Sequence, residues 1–518
     1  MSSGIVKRTI KRVLIANRGE IALRVIRACR ELGLESVAVF SSADRISPFV
    51  LAADYAYPIG PPPPGESYLK GELIIERALE SGAQAIHPGY GFLAENGQFA
   101  QSVSDAGLIW IGPPPEAISA MGSKTEARQL MSNAEVPVIP GSLKPLDNFQ
   151  QAEEIASKIG YPILIKAAYG GGGKGMKIVR SPQELPSALE SAQREALTAF
   201  GNGSIYLEKL ITAPRHIEVQ ILSDNHGNTV HLFERECSIQ RRHQKVIEES
   251  PSPALERYPH LREKIGGAAI AAARACGYRN AGTVEFLFDE QTGEFYFLEM
   301  NTRIQVEHPV TEMVTGWDIV HLQIAIAQGE ELPFTQQQVS QKGHAIECRI
   351  YAEDPETGFL PDSGRIEKLV FPSGPGVRVD SGVAVGEEIG IYYDPMIAKL
   401  IVWAPTRLQA IARMRRALEE FVVLGLKTNI PFLRWAMDHP RFVEGDYDTR
   451  FIENEYHPER LGEDRENLSP AVVIASALMS NNNYSVTLTG TIQSQSIIPD
   501  GVLSPWKRVG RWEAMREG

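Results

Sequence analysis

Gly282-Thr-Val-Glu-Phe-Leu-Phe288 and Phe295-Tyr-Phe-Leu-Glu-Met-Asn301 flank a turn-like segment, Asp289-Glu-Gln-Thr-Gly-Glu294. The flanks are rich in aromatic and β-branched residues, so the stretch reads as a β-hairpin. If it is symmetric about Thr292, Glu285 faces Glu299. Two like charges directly opposite are destabilising, so the pattern makes sense with a cation between them. Carboxylates on a rigid hairpin suit Mg²⁺ bridging nucleotide phosphates. Strict alternation puts Phe297, Glu299, Asn301 and Arg303 on one face, which adds Asn301 as a ligand. The competing reading is an exposed acidic sheet edge. Phe286, Phe288, Tyr296 and Leu298 favour a covered hairpin, in which unpaired carboxylates are costly.

The second strand runs into Arg303-Ile-Gln-Val-Glu-His-Pro309. Arg303 offers a planar fork for a small oxyanion. Glu307 is a candidate general base at the same anion. A surface salt bridge competes for any one of these residues, less so for the set. Ser238 to Glu249 is a basic run inside an acidic protein. Alone it is a solvated face; beside an anion site it supplies local positive potential. Glu347 and Arg349 lie two apart on a strand, hence on one face. A buried structural ion pair and a functional pair are equally open there.

Outward from this centre, the first ~120 residues alternate strands with helices, the signature of a parallel α/β layer. Val13 to Ala16, Val37 to Phe40 and Ala85-Ile86 read as its strands, with a helix bearing Ile21, Val25, Ile26 and Cys29 between the first two. A smaller unit follows, with strands at Pro162 to Ala167 and Met176 to Val179 around Gly170-Gly-Gly-Gly-Lys-Gly175. Such a run is a poor strand but lets backbone N–H groups approach a phosphate closely. It is not a Walker A loop, because Gly175 follows Lys174 where Ser or Thr is needed. A flexible linker is the alternative. From Arg215 the chain is richer in strands, with an amphipathic helix near Leu408 to Val422.

The bulk numbers agree with a soluble globular chain of two to four domains: 518 residues, 43% hydrophobic, 22% charged. A net charge of −12 argues against a nucleic-acid surface. Cys29, Cys237, Cys276 and Cys348 are scattered, without the spacing of a zinc site or disulfide framework. No apolar stretch reaches the roughly 20 residues that span a bilayer, and no signal peptide opens the chain. No membrane role and a cytoplasmic location are therefore expected.

Ala16-Asn-Arg-Gly-Glu-Ile-Ala22, His87-Pro-Gly-Tyr-Gly-Phe-Leu93, Lys166 with the glycine run, Arg241-Arg-His-Gln-Lys245, Glu299 to His308 and Glu347-Cys-Arg-Ile350 together resemble the biotin carboxylase family of ATP-grasp enzymes. The resemblance covers roughly residues 10 to 460, in family order. It implies an α/β fold with an N-terminal parallel domain (1–122), a linker and ATP-grasp lid (123–212), and a C-terminal ATP-grasp and α+β domain (213–461). Residues 462–518 would be an extension that docks a partner or packs on the core.

The resemblance also implies roles. Lys124, Lys166, His216, Gln240 and His243, with Gly171, Gly172 and Gly173, would contact ATP. Glu208, Lys209 and Leu210 would hold the adenine beside Leu287 and Leu298. Glu285, Glu299 and Asn301 would bind Mg²⁺ or Mn²⁺. Lys245, Arg303, Gln305 and Val306 would seat bicarbonate, Glu307 would deprotonate it, and Tyr90 and Arg349 would meet biotin. No Met-Lys-Met biotinylation motif is present, and Arg516 follows Glu513-Ala-Met515 where lysine is required. The expected partners are thus a separate biotin carboxyl carrier protein, carboxyltransferase subunits and a second copy of the chain. Another ATP-grasp ligase and a non-catalytic assembly subunit are the rival readings.

Overall fold

The first β-strand, Arg12–Ile15 (β1), runs into helix Gly19–Glu31 (α1) and returns as Glu35–Ser41 (β2). In this computed structural model, residues 8–458 are described, apart from 143, 147 and 169–175. Gly171, Gly172, Gly173 and Lys174, and the extension with Trp506, Trp512 and Arg516, lie outside the described residues. Strands Tyr55–Gly60 (β3), Ala85–His87 (β4) and Ile109–Trp110 (β5) complete a parallel sheet of order β3-β2-β1-β4-β5. The sequence reading found the three central strands and missed both edges. β3 carries Pro58, which is tolerated on an edge, and β5 has only two residues. The ends of β1 and β4 lie side by side, as expected where open α/β sheets carry ligands.

Helix Lys124–Asn133 (α2) leads to a small antiparallel sheet of Ile163–Ala167 (β6), Lys177–Val179 (β7) and Ile205–Lys209 (β8), backed by Leu185–Phe200 (α3). The remainder is built on an eight-stranded antiparallel sheet. Its strands are Arg215–Ser223 (β9), Thr229–Arg241 (β10), Gln244–Ser250 (β11), Asn280–Asp289 (β12), Glu294–Asn301 (β13), His344–Tyr351 (β14), Val377–Ser381 (β15) and Met396–Ala404 (β16). The order is β13-β12-β9-β10-β11-β14-β16-β15. Helix Pro259–Ala275 (α4) covers one face with Leu261, Ile265, Ala269 and Ala272, against Ile217, Val219, Val284 and Phe286. The helix expected near Leu408 is Arg407–Glu420 (α5), which buries Ile411, Met414 and Leu418 against β14 and β16.

The β12/β13 hairpin pairs Glu285 with Glu299, as its symmetry predicts. The register then shifts, and Phe286 pairs with Phe297. Leu298 is therefore a bulge residue. The shift corrects one expectation: Phe297 does not share a face with Glu299. Phe295 and Phe297 enter the core with Phe286, while Leu298 and Glu299 both face the opposite side.

Just after β15, Gly382 touches the start of α1. A Cβ there would stand 2.3 Å from Glu20 N and 2.4 Å from Gly19 C. Backbone cannot yield as a side chain does, so Gly382→Ala is expected to cost about 1–3 kcal/mol by overpacking. Gly267 in α4 is exposed, and nothing lies within 4 Å of its added Cβ. Gly267→Ala is expected to stabilise by about 0.5–1 kcal/mol through helix propensity. Urea midpoints of the two variants, moving in opposite directions, check both.

Candidate active site

Every described residue of the expected site lines one cavity of about 1610 Å³. It opens between the ends of β1 and β4, the face of the small sheet, and the face of the large sheet opposite α4. Its floor is a row of charge. Glu299 on β13 pairs with Glu285 on β12, Glu285 with Glu218 on β9, and Glu218 with Arg235 on β10. Arg235 is fully buried, 2.5 Å from Glu218, and also donates to Gln220, Thr283, Thr311 and Gln305. The turn at Arg242 and His243, both at positive φ, returns the chain so that Lys245 reaches over this row. Its ammonium pairs with Glu218, with Glu285 at 2.7 Å and with Glu307 at 2.8 Å.

Glu307 is buried and its second oxygen accepts from Arg349 at 3.0 Å. Burial alone would raise its carboxyl; Lys245, Arg349 and Arg235 outweigh it, and the group lies far below the usual carboxylate range. Glu285 behaves alike: burial is overcome by Lys245 and by His216, which sits 2.8 Å away. Glu299 goes the other way. It faces the open cavity, and burial plus the charge of Glu285 raise its carboxyl. That repulsion is what a divalent cation between the pair would remove, so the residues fit the expected metal. Asn301 donates to Glu285 at 2.7 Å and accepts from Arg303 at 3.0 Å, within reach of the same point. Gln305 also donates to Glu285, at 2.8 Å.

Arg349 does not pair with Glu347. Its partners are Glu248 at 2.6 Å and Glu307, so the ion-pair reading of Glu347 and Arg349 is corrected. β14 turns Arg349 to the cavity, whereas Glu347 is fully buried opposite Glu248. Arg303 is held by Glu95 at 2.9 Å. On the small-sheet side, Glu208 takes Lys166 at 2.5 Å and also pairs with Arg128. Gln240 lies 2.6 Å from His216 Nδ1, and Lys124 begins α2 behind the Ser123 cap. Lys209 spends its ammonium on the carbonyls of Gly160 and Tyr161, and Leu210 donates its N–H to Pro162. Ile211, next along the cavity wall, has no backbone partner for its N–H among the described residues.

At the far end, Asn17 donates to the carbonyls of Pro88 and Tyr90, both at 2.7 Å, and pins that loop to β1. The Tyr90 hydroxyl donates to Glu20. Sequence reasoning missed Glu20, Glu95, Glu218, Arg235, Glu248 and Ile211. The only available signal was polar or charged residues inside otherwise apolar strands, as in Glu218-Val-Gln220 and Glu234-Arg-Glu236.

Comparison with known proteins agrees with this arrangement. The description "Biotin carboxylase, N-terminal domain" matches residues 9–118, "Carbamoyl-phosphate synthase L chain, ATP binding domain" matches 123–335, and "Biotin carboxylase C-terminal domain" matches 347–454. Biotin carboxylase 1 of Bacillus subtilis is 53% identical over 444 residues, covering 86% of this chain and 98% of that protein. The methylcrotonoyl-CoA carboxylase alpha subunit of Oryza sativa is 48% identical over 505 residues, covering 96% of this chain and 67% of that one. The biotin carboxylase domain dimer of Hydrogenobacter thermophilus 2-oxoglutarate carboxylase, solved with MgADP, ADP and bicarbonate, superposes with a TM-score of 0.81 at 50% identity, over 87% of this chain and 99% of that one. Among the described residues, no helix is long and apolar enough to cross a membrane.

His87 gives the site a pH signature. Its Nδ1 accepts from Gly89 N–H at 3.0 Å and its Nε2 faces Gln323 Oε1 at 3.2 Å, which requires the neutral ring. Burial, aided by the Arg24 charge, pushes its pKa down to about 4. The unfolded chain therefore binds this proton first. Its contribution is complete above pH ~6.5 and falls by up to about 1.4 kcal/mol per pH unit toward pH ~4. Glu248, raised to about 7 mainly by burial, acts with opposite sign in the same window. The difference between wild type and His87→Gln isolates the histidine: urea midpoints between pH 7 and 4 should fall less steeply in the variant.

Proposed function

This chain belongs to the biotin carboxylase family, and on that footing we propose that it uses ATP to activate bicarbonate and carboxylates biotin held on a carrier protein. The observation that carries the proposal is Glu307, buried, ionised and clamped between Lys245 and Arg349 in a cavity rich in cations. At rest such a carboxylate is a weak base. Bicarbonate entering among Lys245, Arg303, Gln305 and the Val306 N–H competes for the same cations. As their charge turns to the substrate, Glu307 gains proton affinity and can take the bicarbonate proton. The resulting dianion attacks the γ-phosphate of ATP, and the bond from phosphorus to the β-bridging oxygen breaks to release ADP. Carboxyphosphate forms and breaks to CO₂ and phosphate, which takes the N1 proton of biotin. Arg349, released from Glu307, then stabilises the biotin enolate, with Tyr90 beside it, and the enolate N1 bonds to the CO₂ carbon to give carboxybiotin.

Lys124, Lys166, His216, Gln240 and His243, with Gly171, Gly172 and Gly173, are proposed to hold the nucleotide. Glu208 and Lys209 would line the adenine between Leu287 and Leu298. Leu210 N–H is already spent on Pro162, which supports its neighbour Ile211 as the backbone donor to the base. Glu285, Glu299 and Asn301 would hold Mg²⁺ or Mn²⁺. Bound there, the ion would supply charge neutralisation at the phosphates. The division at residues 122, 212 and 461 is proposed with these roles.

The proposed partners are a biotin carrier protein, carboxyltransferase subunits of an acyl-CoA carboxylase and a second copy of the chain. The dimer of the Hydrogenobacter thermophilus domain supports the last. Fatty-acid synthesis through malonyl-CoA is one destination for the carboxyl group. The 505-residue match to the Oryza sativa subunit favours a second, a methylcrotonoyl-CoA-type acceptor.

Glu307→Gln is expected to lower bicarbonate- and biotin-dependent ATP hydrolysis by about 10²- to 10⁴-fold while leaving nucleotide affinity by calorimetry within a few-fold. Undiminished carboxylation by the variant would overturn the proposal.

A further inference from the structure

Lys399 on β16 is fully buried, yet it does not line the cavity. Its ammonium donates to the Val306 carbonyl at 2.9 Å, lies 3.2 Å from Glu20 Oε1 and 3.9 Å from Asp380. Three distant segments meet there: the start of α1, the segment after β13, and β16. An ammonium withdrawn from water this completely is costly unless its partners are well placed. The same Glu20 oxygen accepts the Tyr90 hydroxyl. One continuous chain of polar contacts thus runs from Tyr90 through Glu20 and Lys399 to the peptide that joins Val306 to Glu307.

We infer that Lys399, oriented by Glu20, is a positioning residue that sets the Val306–Glu307 peptide for bicarbonate and ties it to the Tyr90 side of the cavity. The inference rests on the carboxylase reading above. A hydrogen bond to the Val306 carbonyl fixes the plane of that peptide, and with it the point from which the Glu307 side chain springs. The Val306 N–H expected to meet the anion lies in the adjoining Gln305–Val306 peptide, one Cα away from the carbonyl that Lys399 holds. Released, Glu307 would leave the geometry in which Lys245 and Arg349 stand 2.8 and 3.0 Å away. Shifts of about 1 Å in such groups cost about 10²-fold in rate. The polar partners of Lys399, namely Val306, Glu20 and Asp380, are not among the residues proposed for the nucleotide, so a selective effect is required.

The test is steady-state ATP hydrolysis by the full chain with bicarbonate and free biotin varied in turn, on wild type, Lys399→Met and Glu20→Gln. Lys399→Met should raise the bicarbonate KM about ten-fold or more, the loss of one charged hydrogen bond, with the ATP KM within about two-fold. Glu20→Gln keeps an acceptor and nearly all its volume. It should raise the bicarbonate and biotin KM together by about three-fold or more, again sparing ATP. If Lys399→Met does not fold, Glu20→Gln decides alone. A bicarbonate KM that stays put in an active enzyme overturns the inference, as does one that rises in step with the ATP KM. Wild type without bicarbonate-dependent hydrolysis would instead sink the carboxylase reading, and the positioning role with it.

Discussion

Three glutamates stand in a row across neighbouring strands, and everything around the cavity answers to them. Glu299, Glu285 and Glu218 come from β13, β12 and β9, directly opposite one another. None has a countercharge beside it on its own strand. Arg235 reaches Glu218 from the adjoining strand β10, and Lys245 reaches both Glu218 and Glu285. Removing one partner of such a buried set leaves a bare charge and costs about 3–5 kcal/mol. The tight β10/β11 turn, with Arg242 and His243 both at positive φ, brings Lys245 back over the row. The fold and the chemistry thus share one electrostatic problem.

The carboxyl groups fall into two sets. Glu285 and Glu307 are held ionised by cations that outweigh their burial. Glu299 and Glu248 are raised, the first beside Glu285 and the second beside Glu307. Each lowered group has a raised neighbour, pushed up by burial and by the charge of the lowered group itself. Any ligand that brings charge into the cavity must redistribute those cations. The site is therefore responsive before any part of the backbone moves.

Much of this was legible in the sequence. The hairpin, its facing glutamates, the parallel N-terminal layer and the run from Arg303 to Glu307 all follow from local pattern and turn chemistry. What escaped depended on topology. Lys245 meets Glu218 and Glu307 across 27 and 62 positions, and no local spacing encodes those pairs. Arg349 looked partnered by Glu347 two residues away; the true partners come from the neighbouring strand and the loop after β13. Lys399 sits inside Met-Ile-Ala-Lys-Leu-Ile-Val, which reads as core with one anomaly. Leu210 matched a motif by letter, but only its hydrogen bond to Pro162 reveals that its N–H is taken.

The extra residue at Leu298 has a consequence for how this hairpin can vary. Upstream of it, Tyr296 keeps strict alternation with the turn; downstream, Glu299 and Asn301 keep strict alternation with the Arg303 segment. The bulge is a phase joint between two reading frames of one strand. Length changes in the solvent-facing loop around Gln291 to Gly293 fall on the far side of that joint and leave the acidic frame untouched. A single deletion at Leu298 would leave Phe297 facing the core and Glu299 facing the cavity in plain alternation, and would remove only the Leu298 side chain from the cavity wall. Natural variation in length should therefore collect at the hairpin tip and vanish between Glu299 and Glu307, where alternation sets every site residue.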